Sequence, residues 1–356
     1  MPTRLTGATA PTLLRRAVAW GLAILLSFAC AEVALRIFQR IHPTFLLSES
    51  SYNRFRGRPG DVVFGMPLNS GGFKDVEHPR DKPAGTYRIV ALGDSFAFGS
   101  VPYEDNYLTL LGQRLSTETR IVEVINMGVS GAGPQDYLAL LLDEGLAYRP
   151  DLVLVSFFVG NDFTDTKRVN QSSRPRSAVA TLVRSVHGLL FRNAGLLPAT
   201  DHYDDTAKSW TDDTYLAMER DRTRIYEPGG TGRRIYLDAI EFLARIQSVC
   251  ADHDIGLAVV IIPDELQVRP DLRRRVMGAP GDTTKGLDFG LPNRFLEEQL
   301  TTRRIDHCDL LDRFAGASER EVLYKPNDSH WNLAGNRLAA DVLAGFLAPG
   351  LQGAPK

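Results

Sequence analysis

The sequence predicts an α/β domain on a mainly parallel sheet, preceded by an apolar N-terminal helix. Three observations carry this. Short apolar, β-rich runs recur from Tyr87 onward, segments of helical periodicity separate them, and residues 17–35 form an almost unbroken apolar stretch. The composition, 44% hydrophobic and 24% charged, is that of a globular chain rather than a disordered or fibrous one. Formal net charge is -2, and Lys and Arg are dispersed without long runs, so nucleic acid is not expected as a partner.

The apolar stretch from Ala17 to Leu35 contains one charge, Glu32, and is flanked by Arg15 and Arg16 before it and Arg36 and Arg40 after it. At 1.5 Å per residue it spans about 28 Å, close to a bilayer core. Ala29-Cys30-Ala31 would suit cleavage of a signal peptide. An uncleaved anchor is preferred, because the apolar pattern continues through Val33, Leu35, Ile37 and Phe38. An amphipathic or buried cytosolic helix is the bland alternative, although 17–31 shows no polar face beyond Ser27. Anchored or cleaved, the remainder is expected to be exported, periplasmic or extracellular. Arginines at both ends orient the helix only weakly.

Residues 39–86, rich in Gly, Pro, Ser and charge, read as a linker or N-terminal extension that can fold back onto the domain. The main domain is expected over 87–347, with an Arg/Asp-rich insertion at 165–231 and a tail at 348–356. Strands are expected at Tyr87 to Leu92, Ile121 to Asn126, Leu152 to Phe158, Leu257 to Ile262 and Ile305 to Leu310. Helices are expected near 104–116, 134–147, 232–252, 292–303 and 332–347, with two more in the insertion near 177–191 and 212–226. Five strands alternating with helices imply parallel pairing, since each right-handed crossover needs a helix to return the chain. Ligand sites in such sheets lie beyond the carboxyl ends of the strands. No internal repeat, Walker A sequence or G-x-G-x-x-G fingerprint is present.

Four motifs fall at those strand ends. Gly93-Asp94-Ser95 follows the first strand, where a serine can present its hydroxyl while its own N–H faces a developing oxyanion. Asn126 to Gly131 follows the second, and glycine there offers a bare N–H. Gly160-Asn161-Asp162 follows the third, and an Asn amide is a neutral oxyanion donor. Asn327-Asp328-Ser329-His330-Trp331-Asn332 precedes the final helix and supplies imidazole, the base suited to activating serine near neutrality. A carboxylate two residues earlier can orient the ring. Each motif alone is more often a turn or a cap. Together they supply a nucleophile, three oxyanion donors, a base and an acid.

Over residues 87–347 this set, in this order, resembles the SGNH/GDSL hydrolases. The resemblance implies a flavodoxin-like three-layer α/β/α sandwich with Ser95, His330 and an acid as the catalytic residues. It implies Ser95 N–H, Gly131 and Asn161 as the oxyanion hole, and neither metal nor organic cofactor. Many members place Asp three residues before His, where Asn327 stands here; Asp328 at minus two resembles the Asp-x-His-Trp version of alginate acetyltransferase-like members. Asp328 is therefore taken as the acid. Hydrolysis of a short acyl ester, O-acetylation of an exported polysaccharide, and a non-catalytic glycan-binding module remain as readings. The partner is then a small-molecule or polysaccharide ester, with the membrane engaged by the first helix.

Three weaker clusters, Asp201 to Asp205, Asp252-His253-Asp254 and Asp306 to Asp309, match no standard metal spacing and read as solvated loops or strand ends. Cys30, Cys250 and Cys308 are too few for a disulfide framework. A Cys250–Cys308 bond would require the fourth helix to lie against the fifth strand.

Overall fold

A computed structural model of the chain describes residues 10–41, 56–166, 177–180, 182–183, 202–278 and 286–351. Two compact units divide the chain, one formed by residues 1–49 and 172–193 and the other by 50–171 and 194–356.

In the first unit, the helix Ala10–Ile41 contains a 25-residue segment, Leu14–Phe38, with mean hydropathy 2.0. By length and composition it can cross a membrane. Glu32, its one acidic residue, pairs with Arg36 at 2.7 Å and accepts from Ser177 Oγ, Ala178 N and Val179 N. The expected helix near 177–191 is helical at 178–180 and 182–183; residues 184–191 lie outside the described residues.

The second unit contains a small hairpin, β1 (Val62–Val63) with β2 (Met66–Pro67), and a five-stranded parallel sheet. The sheet comprises β3 (Thr86–Gly93), β4 (Ile121–Gly128), β5 (Leu152–Phe158), β6 (Gly256–Ile262) and β7 (Asp306–Asp309), in the order β4-β3-β5-β6-β7. Connection from β3 to β4 runs to one side and from β4 to β5 back across β3. The chain therefore reverses direction at β3, creating the crevice where doubly wound sheets bind ligands.

Period-two alternation decides which side chains enter which layer. Val90, Leu92, Val153, Val155, Phe157, Val259 and Ile261 face one core, against helices Pro134–Asp143, Gly230–Asp252 and Leu291–Thr302. Ile89, Ala91, Leu152, Leu154, Val260 and Ile262 face the other, against Tyr107–Leu115, Leu311–Ser318 and Leu333–Leu351. This is the three-layer sandwich. All seven β5 residues are buried, and its one polar member, Ser156, bonds Tyr107 OH at 2.6 Å.

From residue 56 the expected linker lies on this unit. Phe73, Lys74 and Asp75 are buried, and Asp75 accepts from Asn126 N at 2.7 Å. The second insertion helix forms as Asp212–Arg222 followed by a 3-10 turn, Thr223–Tyr226, and packs on helices Glu265–Val268 and Pro270–Met277 through a separate small core. These last two helices, together with Asp162–Asp165 and Leu311–Ser318, have no counterpart in the sequence-based reading. The final helix ends at Leu351; tail residues 352–356 lie outside the described residues. Cys250 and Cys308 are both free. Cys250 belongs to one core and Cys308 packs against the other, so the sheet separates them.

Candidate active site

The turn after β3 is fixed from several sides. Asp94 caps the short helix Ser95–Phe98 by accepting from Phe96 N at 2.8 Å. The Ala97 carbonyl accepts from Asn126 Nδ2 (2.7 Å) and Asn106 Nδ2 (3.0 Å), tying the turn to the end of β4 and to the cap of the next helix. Gly128 passes directly beneath it: a Cβ there would strike Phe98 N and Ala97 C, both backbone atoms. Ser95 N–H, first in its helical turn, has no intrahelical acceptor.

The strand order places Ser95 between the two neighbours that matter. β4 lies on one side and leads to Gly131, whose φ of +76 suits glycine. β5 lies on the other and leads to Asn161. Asp94 is fully buried, which raises its pKa; the Phe96 N–H bond and the charge of His330 oppose that rise. Asp162, next in the chain, is also buried and pushed well up, while accepting from Tyr137 OH (2.9 Å) and Phe158 N (3.0 Å).

His330 arrives on a narrow loop pinned by Lys325 N to the His330 carbonyl (3.0 Å) and Asn332 N to the Leu323 carbonyl (3.0 Å). Its Nε2 lies 2.7 Å from Ser95 Oγ, and its Nδ1 lies 2.5 Å from Asp328 Oδ1. Trp331 stands edge-on to Phe96 and Tyr107 and stacked on Phe314, with Phe96 also 5.0 Å from the His330 ring. The aromatic cluster thereby fixes the histidine loop against the serine turn. Asp328 has a pKa brought down to about 2: burial raises it, but the charge of His330 and hydrogen bonds from His330 and Ser209 overcome that. An ionised carboxylate only accepts, so Nδ1 carries a proton; in the neutral ring Nε2 is then the acceptor for Ser95 Oγ–H.

Asn327, the alternative acid position, points elsewhere. Its Nδ2 donates to the Trp210 carbonyl at 3.1 Å and to Asp212. Its φ of 47 is a left-handed conformation that Asn tolerates. Ser95, His330 and Asp328 are therefore brought together, with Gly131 and Asn161 on the flanking strand ends. Asn106 and Ser209 were not foreseen; a helix-cap signal at Asn106 was available in the sequence. Among the described residues no group of three or more His, Cys, Asp or Glu is arranged to hold a metal ion. His253 and His307 each bond a backbone carbonyl through Nδ1 (both 2.9 Å), and Asp201 lies outside the described residues.

Comparison with known proteins follows this geometry. Residues 91–225 match the GDSL-like lipase/acylhydrolase family, and residues 232–356 match the SGNH hydrolase-like domain of the acetyltransferase AlgX. The protein is accordingly a hydrolase or acyltransferase. The first match contains Ser95 and Asn161, the second Asp328 and His330, and the chain belongs to the SGNH/GDSL hydrolases. Among solved structures, an acetyl xylan esterase, AlAXEase, is 16% identical, with 72% of this chain and 98% of that one covered and a TM-score of 0.41. A lipase/acylhydrolase from Enterococcus faecalis is 14% identical over 74% and 96% of the two chains, with a TM-score of 0.41. No curated protein matches the sequence.

Proposed function

We propose that the protein is a serine esterase for short acyl esters, working through Ser95, His330 and Asp328, held at a membrane by its first helix with the catalytic unit exported. One observation carries the reading: a continuous hydrogen-bonded line from Ser95 Oγ through both ring nitrogens of His330 to Asp328. In the proposed cycle His330 Nε2 takes the Ser95 proton as Oγ attacks the ester carbonyl. Ser95 N–H, Gly131 N–H and the Asn161 amide receive the oxyanion; each such donor is worth about 3 kcal/mol in the transition state. The C–O bond of the leaving group then breaks, and His330 returns its proton to the departing alkoxide. A water or hydroxyl acceptor, deprotonated by the same nitrogen, attacks the acyl-serine and restores the Ser95 hydroxyl.

Water and a sugar hydroxyl differ only at that last step. A second reading, O-acetyl transfer to an exported polysaccharide, is favoured by the match of residues 232–356, which include Asp328-Ser329-His330-Trp331, to an acetyltransferase domain. The test assays the full chain in detergent on acetyl, butyryl and longer p-nitrophenyl esters, with and without polysaccharide acceptors, beside Ser95→Ala and His330→Ala. The esterase reading expects hydrolysis that both variants abolish, fastest on the shorter esters. Acyl product appearing on the polysaccharide at the expense of free acid selects transfer instead. Wild-type activity no greater than the variants in every assay overturns both.

A further inference from the structure

The 165–231 insertion returns along residues 202–212, and its contacts there converge on the loop that carries His330. Asp205 Oδ1 accepts from Tyr203 OH (2.6 Å) and from Leu333 N (3.0 Å), just after the histidine. Just before it, Asn327 donates to the Trp210 carbonyl and to Asp212. Between these two ties, Ser209 Oγ donates to Asp328 Oδ2 at 2.5 Å.

The two oxygens of Asp328 have separate surroundings. Oδ1 accepts from His330 Nδ1 (2.5 Å) and from His330 N (3.1 Å). Oδ2 has Ser209 Oγ, and beyond it Lys325 Nζ at 3.9 Å, too far for a hydrogen bond. Lys325 is itself drawn over the Tyr203 ring, 5.1 Å from its centroid. The Asp328 side chain is only 8% exposed, so water is a poor substitute on Oδ2. A buried carboxylate oxygen deprived of its donor carries an unrelieved desolvation cost, which rotation toward a nearby cation would relieve. Here that means Lys325, and the turn would draw Oδ1 off the imidazole.

We propose, resting on the triad reading above, that Ser209 is a positioning residue for acyl transfer, its hydroxyl holding Asp328 Oδ2 so that Oδ1 stays on His330 Nδ1. Residues 202–212 of the insertion are then part of the catalytic support and not a surface decoration.

The test compares Ser209→Ala, Ser209→Thr and Asp212→Ala in the full chain in detergent. Ser209→Ala is expected to lower kcat about 10- to 100-fold, the rate equivalent of one hydrogen bond to a charged group, with KM and the thermal midpoint nearly unchanged. Ser209→Thr, which keeps a hydroxyl, restores most of the rate. Asp212→Ala loosens the same strap without touching Oδ2 and costs less than about threefold, a surface-contact loss. A kcat for Ser209→Ala within twofold of wild type overturns the proposal, as does failure of Ser209→Thr to recover, or an equal loss in Asp212→Ala. A readout free of turnover is the low-field proton resonance of the His330–Asp328 bond, identified by its absence in His330→Ala. Ser209→Ala should displace it; an unmoved resonance overturns the assignment even where no ester is turned over. Wild-type activity equal to Ser95→Ala condemns the esterase reading instead, so the two failures are separable.

Discussion

Replacing Asp328 with Asn removes the negative charge while keeping nearly the same shape, and the structure sets a direction for the result. The carboxyl is brought from 3.8 to about 2 despite burial, so its surroundings favour the charged form. The charge of His330 leads the favourable contributions. The same attraction would stabilise the imidazolium that forms when His330 takes the serine proton, so loss of the charge is expected to lower kcat by at least about tenfold. An Asn amide can also donate to Nδ1 and select the wrong tautomer, which extends the loss toward about 10⁴-fold. Asn327→Ala, by contrast, removes bonds to Trp210 and Asp212 at the rim of the loop and is expected to cost only a few-fold. Initial rates with p-nitrophenyl acetate, measured for both variants across neutral pH, decide between them. A loss below about tenfold in Asp328→Asn, or a larger loss in Asn327→Ala, would refute the assignment of the acid.

Two further outcomes follow from neighbouring residues. Gly128→Ala drives a methyl into the backbone at Ala97 and Phe98, so kcat should fall about 100-fold for a stability loss of about 1–3 kcal/mol; an unaltered kcat in a folded variant would show that the serine turn is not rigidly supported there. Burial pushes Glu265 up to about 7 from 4.5, so its contribution to stability is complete below about pH 4.5 and is lost as pH rises through about 7. Urea unfolding between about pH 5 and about pH 8 should show wild type losing more stability than Glu265→Gln, by about 2–3 kcal/mol, and equal losses would remove Glu265 as the cause.

The sheet was legible because β3, β5 and β6 are largely buried and correspondingly apolar, and the bounds came out right for β5 and to within two residues for the other four. The motif residues were legible because the strand ends are where a doubly wound sheet concentrates function. What the sequence could not display was long-range and polar. Asp75 supports β4 through one carboxylate, in a segment whose Gly, Pro and charge content looks like a linker. Helices Glu265–Val268 and Leu311–Ser318 are too short for a strong periodic signal. Ser209 is an ordinary loop serine until a chain separation of 119 residues is closed.

The acid at minus two also explains why that separation had to be closed. Asp328 bends back on its own chain, and one oxygen receives both His330 N and His330 Nδ1, an Asx-like turn that aligns acid and base locally. That economy leaves Oδ2 buried, with no donor of its own loop within hydrogen-bond reach, Lys325 Nζ standing at 3.9 Å. The insertion supplies one. If the two are a unit, their losses cannot add: once Asn replaces Asp328, no full negative charge remains for Ser209 to orient. Ser209→Ala should then cost about 10- to 100-fold in the wild-type background but less than about threefold in Asp328→Asn. Strictly additive losses in the four-member cycle would mean that the serine acts by some route other than the carboxylate it touches.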